Sequence, residues 1–352
     1  MLIQPRLAPA APVGPPNGAA PAAGDAPNAV RPTTAAVVPM ATAVLPAALL
    51  DRLDDYARAA DGALAANTVR ALRSDLAVWQ AWCAVRGLAP VPAAAGTVAA
   101  FVDDRGAERA PATVRRYVAS IATLHRAAEA PDPTKHSGVR FALKRLARAR
   151  GTRQRQAAPL DQLAAERILA RTGDALIDRR DVALLLVARD LLGRRSEVAA
   201  LRVADVRRAD DGSGTVLVAR SKTDQEGQGS VGYLAPRTMA AVAAWLAAAG
   251  IADGPLFRGV HRTGRLGRPL EPGEVARVFK KLARRAGLDP AAVSGHSCRV
   301  GMAQDLVAFG ADLPAVMQAG RWETPAMPAR YAERLLAARN AVAQFHARQA
   351  AR

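Results

Sequence analysis

The sequence predicts a mainly α-helical protein with a small antiparallel β-sheet, a combination that belongs to the α+β class. Apolar residues recur at helical spacing over most of the chain beyond Pro46. The strand-like runs 215–219 and 230–234 bracket the turn-rich segment 224–229, which predicts a β-hairpin. Near residue 150 the sequence becomes strongly basic and poor in large apolar residues, so we expect two domains.

The N-terminal segment, residues 1–45, consists mostly of Ala, Pro and Gly with few large apolar side chains. Such a segment buries too little surface to offset the entropy lost when it becomes ordered. We therefore predict a disordered tail there.

The next segment, residues 46–150, is predicted to be an all-helical domain. Asn67-Thr68 is suited to cap the start of a helix. The apolar residues of this helix are Leu72, Leu76, Trp79 and Trp82. Further helices are expected from Gly96 and from Pro111. The chain then continues into a basic linker at 151–158, for which a merely solvated tether is an equally good explanation.

The second predicted domain spans residues 159–352. It contains a nearly all-apolar helix from Asp181 to Leu192, which must be buried. The β-hairpin follows, and helical patterns then resume at three segments and in a C-terminal tail helix of about Glu333 to Ala347. The three segments are 237–249, 272–286 and 297–309.

The charge of the chain indicates a polyanionic partner. It has 49 Lys and Arg against 31 Asp and Glu, which gives a net charge of +18. Such an excess attracts nucleic acid, although a basic surface sometimes serves only solubility. The candidate DNA-binding residues lie on the predicted helical faces of both domains. They are Arg115, Arg116, Lys144, Arg277, Lys280 and Lys281.

The cysteines and the apolar segments indicate the cellular compartment of the protein. Cys83 and Cys298 are far apart and fit neither a metal site nor a disulfide framework. No apolar run is long enough to cross a bilayer, and the N-terminus lacks the pattern of a secretory signal. We expect a cytoplasmic protein with no membrane partner.

The first candidate for chemistry is Arg194, which follows the buried helix. Glu197 lies three residues further on, within reach on one helical turn, and could hold the arginine while its other N–H groups face a phosphate. Taken alone, a structural ion pair is the commoner explanation of this spacing.

A second group of polar residues appears near the C-terminus. His296 and Arg299 have the spacing that brings two side chains to one helix face, and Trp322 and Tyr331 follow them. Each of these residues alone is most often a packing residue. Their order along one chain is what indicates a catalytic site.

This ordered set resembles that of the tyrosine recombinase (phage integrase) family, in the wording Ser294-Gly-His-Ser-Cys-Arg-Val-Gly301 and then Gln318-Ala-Gly-Arg-Trp322. The resemblance implies a helical core-binding domain followed by the family's catalytic domain. It makes Tyr331 the nucleophile, Arg194 and Arg299 the phosphate-binding arginines, and Glu197 the acidic residue beneath them. His296 is implied as general base or hydrogen-bond donor, and Trp322 stands where the family has His or Trp.

Lys222 closes the first strand of the predicted hairpin, where the family has its lysine. Only five of the 49 basic residues are lysines, so a lysine here is informative, because lysine can give up a proton and arginine cannot. General acid is its implied role. Two features depart from the family pattern: Arg195 follows the first arginine, and Pro328 would break a helix interior just before Tyr331.

The resemblance also implies a bacterial or phage protein associated with the nucleoid, and it implies the partners. We expect double-stranded DNA with a specific target site, cut through a 3′-phosphotyrosyl link, and a homo-tetramer on two sites that is joined by the tail helix. No cofactor and no metal ion are expected, since the sequence has no Walker motif or carboxylate cluster suited to magnesium. The alternatives are relaxation of DNA like a type IB topoisomerase and an inactive DNA-binding member of the family.

Overall fold

The structure is a computed structural model that describes residues 47–221, 224 and 227–350. The chain divides into two compact units, Met1–Arg153 and Gln154–Arg352. The predicted tail at 1–45 and Lys222 lie outside the described residues. A mainly helical protein with small antiparallel sheets is confirmed.

The described part of the first unit is helical. Its helices are α1 (Ala47–Ala60), α2 (Ala66–Val85), α3 (Ala95–Glu108), α4 (Pro111–Ala127) and α5 (Ser137–Arg150). The expected cap at Asn67-Thr68 is wrong, because α2 begins at Ala66 and Ala65 caps it without a side-chain hydrogen bond. Asn67 Oδ1 instead accepts from Arg70 Nη1 at 2.5 Å.

Aromatic side chains form the centre of the first unit. Trp79 and Phe101 are fully buried, with ring centroids 5.0 Å apart at an interplanar angle of 79°. This edge-to-face contact is a favoured arrangement of aromatic rings. The indole N–H of Trp79 donates to the Pro90 carbonyl at 2.9 Å, so the buried donor is satisfied.

The second unit contains helices around two small antiparallel sheets. Its helices are α6 (Gln162–Leu169), α7 (Leu176–Asp190), α8 (Arg195–Ala200), α9 (Pro236–Ala249), α10 (Pro272–Arg285), α11 (Ser297–Phe309), α12 (Leu313–Gly320), α13 (Ala326–Tyr331), α14 (Glu333–Ala337) and α15 (Ala341–Ala350). Its strands are β1 (Val206–Arg208), β2 (Gly214–Val218), β3 (Ser230–Leu234), β4 (Arg258–Val260) and β5 (Leu266–Pro269).

The predicted hairpin is confirmed as β2 and β3, which pair antiparallel with Val216 opposite Gly232. β1 adds to β2, and a second sheet pairs β4 with β5. Side chains of β2 alternate between buried and exposed, as expected for a sheet with one face on the core. Beyond β2, Asp224 accepts backbone hydrogen bonds from the segment 227–229.

Two buried helices place the residues of interest. α7 buries Leu184 and Leu185 completely. Arg194 follows this helix, where the chain leaves the core. α11 lies so close to the segment before α6 that a Cβ on Gly301 would come within 2.2 Å of the Leu160 carbonyl oxygen. Glycine is therefore required at this position.

The C-terminal tail differs from the single helix expected at about Glu333 to Ala347. It forms α14 and α15, separated by residues 338–340. At the break, the guanidinium of Arg339 donates to the carbonyls of Val307 and Ala308, and Asn340 caps α15 by accepting from Ala343 N at 3.0 Å. Among the described helices, none is long and apolar enough to cross a membrane.

Candidate active site

Arg194 and Glu197 are held together by the start of α8. Arg194 is the residue that caps the helix, and its backbone N donates to Glu197 Oε2 at 3.0 Å. Its Nη1 donates to Glu197 Oε1 at 2.6 Å. The Glu197 side chain is 1% exposed and that of Arg194 is 15% exposed. The carboxylate is thus buried beneath an arginine that keeps some contact with solvent.

Arg299 is the third residue of α11 and is 2% exposed. Its Nη1 donates to the Leu192 carbonyl, and its Nη2 donates to the Gly320 carbonyl at 2.6 Å. Leu192 adopts a left-handed backbone conformation with φ 45°, at the turn between α7 and α8. The guanidinium is thereby fixed between the end of α7 and the end of α12.

Trp322 covers the Arg299 guanidinium, whose central carbon lies 4.0 Å from the centroid of the indole ring. Stacking of this kind is favourable for a poorly solvated cation. A Cβ on Gly320 would come within 1.9 Å of the indole, so the close approach of the ring requires a glycine there.

Tyr331 is the last residue of the short helix α13 and packs against Trp322, with ring centroids 5.9 Å apart. Pro328 lies in the first turn of this helix, where the missing N–H breaks no helical hydrogen bond. The Tyr331 carbonyl accepts hydrogen bonds from Gln304 Nε2 at 2.8 Å and Gln156 Nε2 at 3.3 Å.

His296 immediately precedes α11 and is exposed, whereas Arg299 is buried. His296, Tyr331, Lys280 and Arg330 line one cavity of about 480 Å³. The predicted nucleophile and the predicted base therefore face the same open space.

The site has more positively charged than negatively charged side chains. Glu197 Oε2 also accepts from Arg321 Nη2 at 2.7 Å, so two arginines share one carboxylate, and the charges of Arg194 and Arg321 both act on Arg299. Burial, followed by the charge of Arg194, lowers the pKa of Arg299 to about 9. Burial alone would raise the pKa of Glu197, but the hydrogen bonds from Arg194 and the charges of both arginines outweigh it and hold that pKa below its usual value.

Sequence reasoning missed three residues of this site: Arg321, Gln304 and Gln156. Neither glutamine is ionisable, and both are distant from Tyr331 in the sequence. No local sequence pattern therefore distinguishes them. Arg321 is adjacent to Trp322 in the sequence, and only this adjacency indicates that Arg321 belongs to the site.

The predicted DNA-binding residues have different surroundings. In the first unit, Arg115, Arg116 and Lys144 are exposed, although Arg116 also binds the buried Asp75 at 2.8 Å.

On α10, Arg277 and Lys280 are exposed, whereas Lys281 forms an ion pair with the fully buried Asp181. The ammonium group of Lys281 is thus already paired with a carboxylate of the same unit. Among the described residues, no group of three or more His, Cys, Asp or Glu could hold a metal ion.

Comparisons with known proteins indicate the family of the chain. The model of the phage integrase family matches residues 159–336. An integrase/recombinase XerD homolog of Selenomonas ruminantium is 31% identical over 279 residues, covering 76% of this chain and 81% of the relative. Recombinase Cre of Escherichia phage P1 is 28% identical over 283 residues, covering 74% and 82%.

Solved structures show the same fold. The integrase of transposon Tn1549, in complex with transposon right end DNA, matches with a TM-score of 0.58 at 12% identity. The match covers 80% of this chain and 94% of that chain.

Proposed function

Since the chain belongs to the phage integrase family of tyrosine recombinases, we propose that it is a site-specific recombinase that cleaves and rejoins duplex DNA. The observation that carries the proposal is the group of three arginines, Arg194, Arg299 and Arg321, around the single buried carboxylate of Glu197. A surplus of positive charge in a poorly solvated site binds an anion such as a phosphodiester.

Tyr331 is the proposed nucleophile. A tyrosine with a pKa near 10 is ionised to about one part in a thousand at pH 7, so it reacts slowly unless the site assists. Positive charge beside the phosphate stabilises the negative charge that grows in the transition state. As the Tyr331 oxygen bonds to phosphorus, the bond from phosphorus to the 5′-oxygen breaks. The products are a 3′-phosphotyrosyl link and a 5′-hydroxyl.

The other residues of the set assist this step. Arg194 and Arg299 are proposed to stabilise the non-bridging oxygens. Trp322 is proposed to donate a hydrogen bond through its indole N–H, and His296 to accept the proton of the Tyr331 hydroxyl or to donate a hydrogen bond. Lys222, outside the described residues, is proposed to protonate the departing 5′-oxygen. Rejoining is the reverse reaction. Because the phosphotyrosyl link retains the energy of the broken bond, we propose that neither ATP nor a metal ion takes part.

The DNA is proposed to contact exposed basic residues of both units. These are Arg115, Arg116 and Lys144 in the first unit and Arg277 and Lys280 on α10. Lys280 supports this proposal best, because it lines the cavity of Tyr331 and would lie near DNA that reaches the nucleophile. Lys281 is not proposed to contact DNA, because its ammonium group binds Asp181.

The proposal is tested by selecting bound duplexes from a random-sequence library and placing two copies of the selected site on one plasmid. A recombinase should delete or invert the DNA between the copies, and Tyr331→Phe should not. Relaxation of a supercoiled plasmid that lacks the site, without exchange, would instead indicate topoisomerase activity. Binding without either reaction would show an inactive family member.

A further inference from the structure

Arg321 has an unusual backbone. It ends α12 with φ 56° and ψ 51°, in the left-handed region that glycine adopts without cost and other residues adopt at a cost in free energy. An arginine at this position therefore has to be stabilised by what its side chain contacts. The nature of that contact indicates what the residue does.

The side chain of Arg321 points into the arginine cluster. Its Nη2 donates to Glu197 Oε2 at 2.7 Å, and the side chain is only 14% exposed. Its Nε is buried without a hydrogen-bond partner among the described residues. Leaving a buried donor unpaired is unfavourable. The ion pair of Arg321 with Glu197 is thus accompanied by two unfavourable features, the left-handed backbone and the unpaired Nε.

Arg321 also changes how Glu197 holds Arg194. Glu197 Oε1 accepts from Arg194 Nη1, whereas Oε2 accepts from Arg321 and from the Arg194 backbone. The Arg194 guanidinium is therefore joined to the carboxylate through a single nitrogen and does not form a bidentate pair. The remaining N–H groups of Arg194 can be directed at a phosphate.

Arg321 also changes the charge balance of the site. Arg194 and Arg299 against Glu197 leave a surplus of one positive charge, and Arg321 raises the surplus to two. A phosphodiester carries one negative charge, and more negative charge accumulates on its oxygens as a nucleophile adds. An interaction that strengthens as charge develops lowers the barrier more than it tightens binding.

We propose that Arg321 is a positioning residue of the cleavage reaction, which binds the second oxygen of Glu197, leaves Arg194 available to the phosphate and supplies the second surplus positive charge. This inference rests on the proposed recombinase function. Arg321 is expected to affect the rate of cleavage more than the affinity for DNA.

The test uses Arg321→Gly, Arg321→Lys and Arg237→Met in the full chain. Glycine suits the left-handed backbone, so Arg321→Gly should fold. Lysine keeps the charge. Arg237 forms an exposed ion pair with Glu166 outside the site, so its substitution is the control for removing one charge from the same unit.

We expect Arg321→Gly to slow single-turnover cleavage of a nicked DNA substrate by about 10- to 100-fold, with half-site affinity close to wild type. Arg321→Lys should recover part of the rate, and Arg237→Met should cleave like wild type. Equal losses of rate and affinity in Arg321→Gly, or an unchanged rate, would overturn the inference. Failure of the wild-type protein to cleave any selected site would instead overturn the proposed function.

A double substitution tests whether Arg321 acts through Glu197. In a Glu197→Gln background Arg321 keeps its charge but has lost the carboxylate through which it positions Arg194, so Arg321→Gly should cause a smaller loss of rate than it does in the wild-type background. If the two losses multiply, Arg321 acts independently of Glu197 and the inference is wrong.

Discussion

Glu197 is the residue on which the arginine cluster depends for its stability. Its side chain is almost completely buried, and it accepts hydrogen bonds from Arg194 and Arg321. Removing one partner of a buried ion pair is costly, because the remaining charges are left without compensation in a poorly solvated place. Glu197 should therefore affect folding as well as cleavage.

Glu197→Gln should lower the free energy of unfolding by about 3 kcal/mol at pH 7, measured by urea denaturation. The pKa of Glu197 is below its ordinary value of 4.5 in the folded protein. Its contribution is thus fully present above pH 4.5 and is lost as the pH falls through the folded value. The difference between wild type and variant should stay constant from pH 7 to 5 and shrink below that.

Glu166→Gln is the matched control, because Glu166 pairs with Arg237 at the exposed surface. Its effect on stability should be small at every pH. A Glu197→Gln variant as stable as this control would contradict the description of a buried, charge-dependent cluster.

Lys222 is proposed to protonate the leaving 5′-oxygen. An alkoxide leaves poorly, and a positioned acid typically contributes about 10² to 10⁴ in rate, so Lys222→Ala should nearly abolish cleavage of normal DNA. With sulfur as the bridging atom, the leaving thiol has a pKa near 8.5 and needs little protonation. The variant should then recover most of its rate.

Single-turnover cleavage of both substrates measures this rescue. Arg194→Ala is the comparison, because charge on the non-bridging oxygens still needs the arginine when the bridging atom is sulfur, so no rescue is expected. Equal defects of Lys222→Ala on oxygen and sulfur would remove the lysine from the general-acid role.

The two tail helices, α14 and α15, have different surroundings. Leu335 and Leu336 of α14 pack against a cluster that includes Ala303 and Val307 of α11. On α15, Val342 and Phe345 are 63% and 56% exposed. We propose that α15, and not α14, joins neighbouring protomers in a homo-tetramer.

Truncation after Asn340 should therefore keep the melting temperature and half-site binding but weaken assembly on two sites, as seen by native gel shift. Leu335→Asp is the contrasting variant, because it places a charge against the core and should lower the melting temperature. Full assembly and exchange by the truncated protein would show that α15 is not the joining element.

The bounds of some helices could be predicted from the sequence, and those of others could not. α9 matches its predicted span closely, because Pro236 favours the first turn and Gly250 ends the helix in a left-handed conformation. The tail break was not predictable, since Ala338 and Arg339 favour helix. The break accompanies contacts of Arg339 with carbonyls at the end of α11, which are distant in sequence.

At the scale of the whole chain, the ordered set of residues was sufficient to predict the family and the contact between Arg194 and Glu197. It could not predict the third arginine, because Arg321 meets Glu197 across 124 positions of sequence. Nor could it separate Lys280 from Lys281. One step along α10 turns the second lysine towards the buried Asp181.

The identity of the residue that becomes linked to DNA tests the proposed mechanism of cleavage. Wild-type protein is incubated with a nicked substrate, from which the cleaved 5′-hydroxyl strand can diffuse away, and the covalent product is digested and sequenced by mass spectrometry. DNA should be attached to Tyr331, Tyr331→Phe should form no product, and Tyr233→Phe, whose ring is exposed on β3, should form a normal product. Attachment through any other residue, or a product formed by Tyr331→Phe, would show that Tyr331 is not the nucleophile.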